Sequence, residues 1–141
     1  AVCAAAVADW RVSTAQDQKI KKKGKAPSLS LVENPDILRT LSTATGNRRP
    51  ALVVGFGAET ENVVENAVEK RRRKGCDWLL ANDVSPESGT FGGDSNRLFL
   101  IRDGDVEDWP RMSKSDAAGR LAQNIADHFR DLPMRNAEAG A

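Results

Sequence analysis

The chain contains no tyrosine, and aromatic residues make up only 5% of it. Stacking platforms for single-stranded nucleic acid are built from such rings, so that function is not expected. There is one histidine, His128. It falls on the apolar stripe of a predicted helix, which makes it a packing or capping residue and argues against histidine general-base chemistry. The two cysteines, Cys3 and Cys76, are too few for a disulfide framework or a zinc motif. Both sit in apolar runs and are expected to be buried small hydrophobes, in keeping with a reducing cytoplasm. No apolar run approaches the ~20 residues that span a bilayer, so no membrane partner is expected. The opening AVCAAAVADW also lacks the basic start of a signal peptide. An excess of one charge is missing too. Lys and Arg number 21 against 20 Asp and Glu, a net charge of +1, and a general nucleic-acid footprint is not expected from that balance.

What the chain does have is local positive charge. Lys19 to Lys25 reads KIKKKGK, five lysines in seven residues, and Glu69 to Gly75 reads EKRRRKG. The remainder is ordinary for a soluble globular protein, with 40% hydrophobic and 29% charged residues. A length of 141 residues fits one domain. We assign it to residues 1–132, with a disordered tail over 133–141.

Strands are predicted at about 1–8, 28–33, 51–56, 77–82 and 96–103, with a short one at about 105–109. Residues 1–8 and 51–56 (ALVVGF) are continuous apolar runs, the pattern of strands covered on both faces in a parallel sheet. Asn34-Pro35-Asp36 places a capping residue before a proline at the first helical position, and Ile37, Leu38 and Leu41 continue a helix that Gly46 stops. A second helix is predicted over 61–74, with Val63, Val64, Ala67 and Val68 facing the sheet and Gly75 as its stop. A third is predicted over 114–131. Ser113 and Asp116 open it as a capping box, and Leu121, Ile125, His128 and Phe129 form its stripe. Strands alternating with helices imply βαβ units. Asp103-Gly104 signals a hairpin. The predicted fold is α/β, a Rossmann-like three-layer sandwich with a mostly parallel sheet and an antiparallel hairpin at its edge.

In such sheets ligands bind beyond the carboxyl ends of the strands. The segments that follow the first, 51–56 and 77–82 strands are Ala8-Asp9-Trp10, Gly55 to Thr60, and Asn82 to Ser85. They are expected to line one edge with the lysine segment beside them. Gly55-Phe56-Gly57 lacks the third glycine of a dinucleotide fingerprint. Glu59 and Glu61 would also repel a pyrophosphate at the following helix N-terminus. The glycines are read either as a tight turn or as close backbone approach to a flat ligand, with Phe56 as a stacking face. Lys70 and Lys74 share one helix face. They either complement the helix dipole or reach a polyphosphate. Lys19 to Lys25 is either a solvated loop or a flap over a triphosphate. Asp83 and Asp94 are weighed as Mg²⁺ ligands against ordinary turn capping.

The ordered set AAVADW, KIKK, ENPDIL, VVGFGAET, KRRRKGCDWLLANDVS and GTFGGDSN resembles phosphopantothenate–cysteine ligase, which in bacteria is usually fused to a decarboxylase. The likeness covers about 1–130. It implies activation of the 4′-phosphopantothenate carboxylate by CTP with Mg²⁺. Cysteine then attacks the acyl-cytidylate, giving an amide and CMP. By resemblance, Asp9 contacts the nucleotide and Lys19 is catalytic, stabilising charge at the reacting phosphate. Asn34, Pro35, Asp36, Ile37 and Phe56 frame the cytidine, and Lys70 and Lys74 hold the phosphates. Family members begin with a glycine-rich segment and an asparagine that are not found here. The chain is therefore read as the C-terminal portion of the ligase domain, expected to be inactive alone. FMN belongs to the decarboxylase half, which is likewise not found here. The resemblance also implies a homodimer in the full-length protein and a cytoplasmic location. Two readings of other classes are a non-catalytic nucleotide-binding module and a basic module for RNA; the second predicts steep salt dependence and no preference for CTP over ATP.

Overall fold

A computed structural model describes residues 1–4, 7–14, 24, 28–85 and 94–131. The main sheet has five strands: β1 (Val2–Cys3), β4 (Val54–Glu59), β5 (Trp78–Asp83), β6 (Ser95–Ile101) and β7 (Val106–Ser113), adjacent in that order. β1, β4 and β5 pair in parallel, and β6 and β7 close the edge as an antiparallel hairpin. All strands but β6 thus run the same way. Helices α1 (Ile37–Ser42) and α2 (Val63–Lys74) cover one face and α3 (Lys114–Asp131) covers the other. This is the three-layer α/β sandwich that the alternation of strands and helices predicts.

Alternate residues of the central strands serve opposite layers. Val54, Trp78, Leu80 and Leu100 pack with Trp109 and with Ala117 and Leu121 of α3. Val53, Leu79, Ala81 and Ile101 pack with Ala67 of α2, and Leu38, Val63, Val64 and Val68 close over them. The α2 stripe is the predicted one. Gly75 ends that helix at φ 73°, a left-handed conformation that costs glycine little. The Ser113–Asp116 capping box forms as expected: the Asp116 amide donates to Ser113 Oγ at 3.0 Å, and the Ser113 hydroxyl donates to Asp116 Oδ2 at 2.7 Å. At Asp103-Gly104 the chain turns as a hairpin, with Gly104 at φ 69° and the Arg102 amide bonded to Asp105 O at 2.9 Å.

Several boundaries differ from expectation. The apolar run at 51–56 enters the sheet only at Val54, so β4 ends at Glu59 and holds both Gly55 and Gly57. α1 begins at Ile37, with Asp36 and not Asn34 as its cap, and stops at Ser42; Gly46 instead opens a 3-10 turn over Gly46–Arg48. The second helix starts at Val63 rather than 61, because Asn62 takes a left-handed φ of 45°. β7 runs on to Ser113, past Pro110. Proline is tolerated there because β7 is an edge strand with a register shift opposite it, between Asn96 and Leu98. Phe129, expected on the α3 stripe, is exposed near the helix end. The 28–33 segment contributes β3 (Leu31–Glu33), which lies outside the main sheet and pairs antiparallel with β2 (Trp10–Val12). The predicted 133–141 tail falls outside the described residues. Among the described residues no helix is long and apolar enough to cross a membrane.

Candidate functional site

Beyond the carboxyl end of β1, beside the middle of β4, lies a cleft of about 760 Å³. Its walls come from the end of β1, the β2–β3 ribbon, the approach to α1, the middle of β4, and one face of α2. Asp9, Asn34, Pro35, Asp36, Ile37, Phe56, Lys70 and Lys74 all line it. These are the nucleotide-contact residues expected above, Lys19 excepted. Lys19 and the other lysines of the 19–25 run lie outside the described residues. Residues 82–85, expected at the same edge, do not line the cleft.

The ribbon is held beside the cleft by Asn34. Its amide donates to Asp9 O at 2.8 Å, and its side-chain nitrogen donates to Ala8 O at 2.7 Å. Arg11 in turn donates to Asn34 Oδ1 at 3.0 Å and to Glu33 O. With both polar atoms of its side chain engaged, Asn34 acts as a clamp that sets the cleft wall.

Asp36 joins two helices. One oxygen, Oδ1, accepts from the Arg39 amide at 2.9 Å and caps α1, while Oδ2 accepts from Lys74 Nζ at 2.5 Å. Burial pushes this carboxyl up, but the Lys74 hydrogen bond, the Arg39 amide and the attraction of both cations outweigh it and hold Asp36 below the usual aspartate range. One turn earlier on α2, Lys70 Nζ lies 3.4 Å from Glu59 Oε1. Both cleft lysines are therefore paired with carboxylates. Phe56 lines the same cleft and is 37% exposed.

The two glycines of β4 have definite tasks. A Cβ on Gly55 would stand 2.6 Å from Leu38 Cδ2 and 3.0 Å from Leu79 Cδ1, so its bareness admits α1 to the sheet. A Cβ on Gly57 would stand 3.4 Å from Lys70 Nζ. The glycines make room for protein side chains inside a strand. This corrects the reading of them as a tight turn.

Cys3, expected to be buried, is half-buried and lines the cleft; Cys76 is buried. Trp10 lines the cleft, as expected of the segment after the first strand, and so does Glu33, to which the sequence assigned no role. The signal that could have found Glu33 is register, since it pairs with Trp10 across the ribbon. His128 packs as expected, edge-on to Trp78 at 5.2 Å and to Phe129 at 5.4 Å, beside a separate hollow of about 340 Å³ under α3. Asp83 caps its own turn by accepting from the Ser85 amide at 2.8 Å, and bonds from Ser85 hold it below the usual range. Among the described residues no three His, Cys, Asp or Glu side chains gather as a metal site.

Known proteins fit this architecture. The profile of the DNA/pantothenate metabolism flavoprotein C-terminal domain matches residues 1–129. Over 125 residues the chain is 38% identical to the Coenzyme A biosynthesis bifunctional protein CoaBC of Haemophilus influenzae, spanning 89% of this chain and 30% of that protein. The protein of the same name from Escherichia coli K12 is 47% identical over 105 residues, 72% of this chain and 25% of that one. The chain thus spans less than a third of the length of these relatives. Among solved structures, the C-terminal domain of Coenzyme A biosynthesis bifunctional protein CoaBC superposes with a TM-score of 0.65 at 30% identity, covering 90% of this chain and 53% of that one. The DNA/pantothenate metabolism flavoprotein from Streptococcus pneumoniae shares the fold, with a TM-score of 0.58 at 19% identity over 78% of this chain and 46% of that one.

Proposed function

Since the chain belongs to the DNA/pantothenate metabolism flavoprotein C-terminal domain family, we propose that it serves coenzyme A biosynthesis as the CTP-binding portion of a phosphopantothenate–cysteine ligase. In this reading CTP activates the carboxylate of 4′-phosphopantothenate as an acyl-cytidylate with release of pyrophosphate, and the cysteine amine displaces CMP to form the amide. The observation that carries the reading is convergence. Residues distant in the chain (Asp9, the 34–37 turn, Phe56, Lys70 and Lys74) share one cleft beyond the carboxyl end of β1, the side of a strand on which open α/β folds bind ligands.

Each wall has a use in this reading. Phe56 supplies an apolar face for the cytosine, and the 34–37 turn closes over the nucleoside. Lys70 and Lys74, one helical turn apart on one face, bring two flexible ammoniums to one polyphosphate. Lys19 stabilises the charge that builds at the α-phosphorus as pyrophosphate departs. Mg²⁺ would come with the triphosphate, since that ion usually takes few protein ligands, and would offset phosphate charge there. FMN has no role in this portion and belongs to the decarboxylase half of the longer protein.

The exposed apolar side chains of the β2–β3 ribbon, Trp10, Val12, Leu31 and Val32, support a further part of the reading. They offer a surface for pairing of two copies in the full-length protein.

The test joins this chain to the N-terminal portion of a ligase domain and measures pyrophosphate release with CTP, 4′-phosphopantothenate and cysteine. Lys19→Gln should cut the rate severely and leave CTP binding largely intact. CTP binding without amide formation would favour a non-catalytic nucleotide module. Equal rates for the two proteins would remove Lys19 from the mechanism.

A further inference from the structure

The described walls of the cleft carry more negative than positive charge: Asp9, Glu33 and Asp36 against Lys70 and Lys74. Neither ammonium is bare. Lys74 is held by Asp36 at 2.5 Å and Lys70 by Glu59 at 3.4 Å. An anion entering the cleft therefore competes with a carboxylate already at each ammonium. Asp36 has a second duty as the cap of α1. Glu59 has none, since among the described residues Lys70 is the one partner of its carboxylate.

The placement of Glu59 is fixed by the backbone. It ends β4 in register with Asp83, and its carbonyl accepts from the Val84 amide at 2.9 Å. Two residues before it, Gly57 leaves the space that Lys70 fills; a Cβ there would meet Lys70 Nζ at 3.4 Å and Glu59 Oε1 at 3.6 Å. The Lys70 and Glu59 side chains are only 26% and 20% exposed, so solvent and salt screen the pair less than an open surface pair.

We propose that Glu59 is a resident counter-ion of the anion site, a positioning residue that holds Lys70 over Gly57 and competes with a ligand's phosphates for it. The proposal rests on the reading of the cleft as a nucleoside triphosphate site and adds a residue outside the cleft lining. The ligand class is a polyphosphate. Binding is an exchange of one anion for another at Lys70, which weakens affinity. The same exchange helps release, because Glu59 re-pairs with Lys70 as the phosphate departs.

Glu59→Gln tests this, because it removes the charge and keeps the size and one acceptor oxygen. The full chain is titrated calorimetrically with inorganic pyrophosphate and, separately, with CTP. Glu59→Gln is expected to bind pyrophosphate about threefold or more tighter, the scale of one partly exposed charge contact. Glu61→Gln, which removes a nearby exposed carboxylate, should bind as the wild type does. A purely structural role would not raise affinity. Should Glu59→Gln fold poorly, Glu59→Asp, which withdraws the carboxylate by one methylene, must shift affinity in the same direction. If the wild type binds CTP and neither variant binds pyrophosphate more tightly, the counter-ion role is overturned and the nucleotide reading stands. A wild type that binds neither CTP nor pyrophosphate overturns both.

Discussion

Lys74 Nζ donates to Asp36 Oδ2 at 2.5 Å, tying the last turn of α2 to the residue that caps α1. One contact thus joins two walls of the cleft. It has a pH signature with a definite sign. The folded-state pKa of Asp36 is depressed, so its contribution is complete above the ordinary aspartate value and is lost as pH falls through the folded value. Asp36→Asn keeps the capping oxygen and loses the charge. Wild type and Asp36→Asn are expected to differ by on the order of 0.5–1 kcal/mol at neutral pH after solvent screening, and to converge in acid. Urea melts at neutral pH and at acid pH check this; a gap that persists in acid would refute it.

Gly55 predicts a packing effect. Gly55→Ala would drive a methyl group into Leu38 and Leu79. A cost of about 1–3 kcal/mol is expected from overpacking. Leu38→Ala alone is also destabilising, but combined with Gly55→Ala it should cost less than the sum of the two changes, because the clash is gone. Thermal melts of the three variants decide it, and strict additivity would show that the contact is not the cause.

Phe56 separates base binding from phosphate binding. Its ring is partly exposed in the cleft, so Phe56→Ala should cost only the covered part of the ring, about 1–2 kcal/mol of stability, and leave the chain folded. It should weaken CTP by about 1–3 kcal/mol, the range for one base stacked on a ring, and leave pyrophosphate affinity unchanged. Loss of both affinities together would assign Phe56 to the fold of the site and not to the base.

The sequence made most of the layers legible and less of the site. α3 could be placed because the Ser113–Asp116 box and the Leu121/Ile125 stripe are local signals. α2 ended where glycine requires, at Gly75. The β2–β3 ribbon was not legible as a pair. Trp10–Val12 is short, exposed and joined to its partner only through long-range pairing, so no period marks it. Asn34 misled for a related reason. Asn-Pro resembles a helix start, but the bonds that hold Asn34 run to Ala8, Asp9 and Arg11, more than twenty residues away. Lys70 and Lys74 could be read as one face from their spacing. Their partners, Glu59 and Asp36, could not, because both contacts depend on how the elements cross.

Cys3 offers a reporter of occupancy. It is half-buried in the cleft wall, whereas Cys76 is buried and its thiol is pushed up by burial. Iodoacetamide at neutral pH should therefore label Cys3 well before Cys76. CTP should slow the labelling of Cys3 several-fold, as read by mass spectrometry of the peptides. Labelling of Cys3 at the same rate with saturating CTP would place the nucleotide elsewhere.

The central claim is that Lys70 and Lys74 bind one polyphosphate while Phe56 faces its base. A crystal structure of the chain with CTP tests it most directly. The account predicts phosphate oxygens within hydrogen-bonding distance of both ammoniums, the cytosine against Phe56, and Lys70 drawn away from Glu59. CTP bound on another face, with the Lys70–Glu59 and Lys74–Asp36 pairs unchanged, would contradict it.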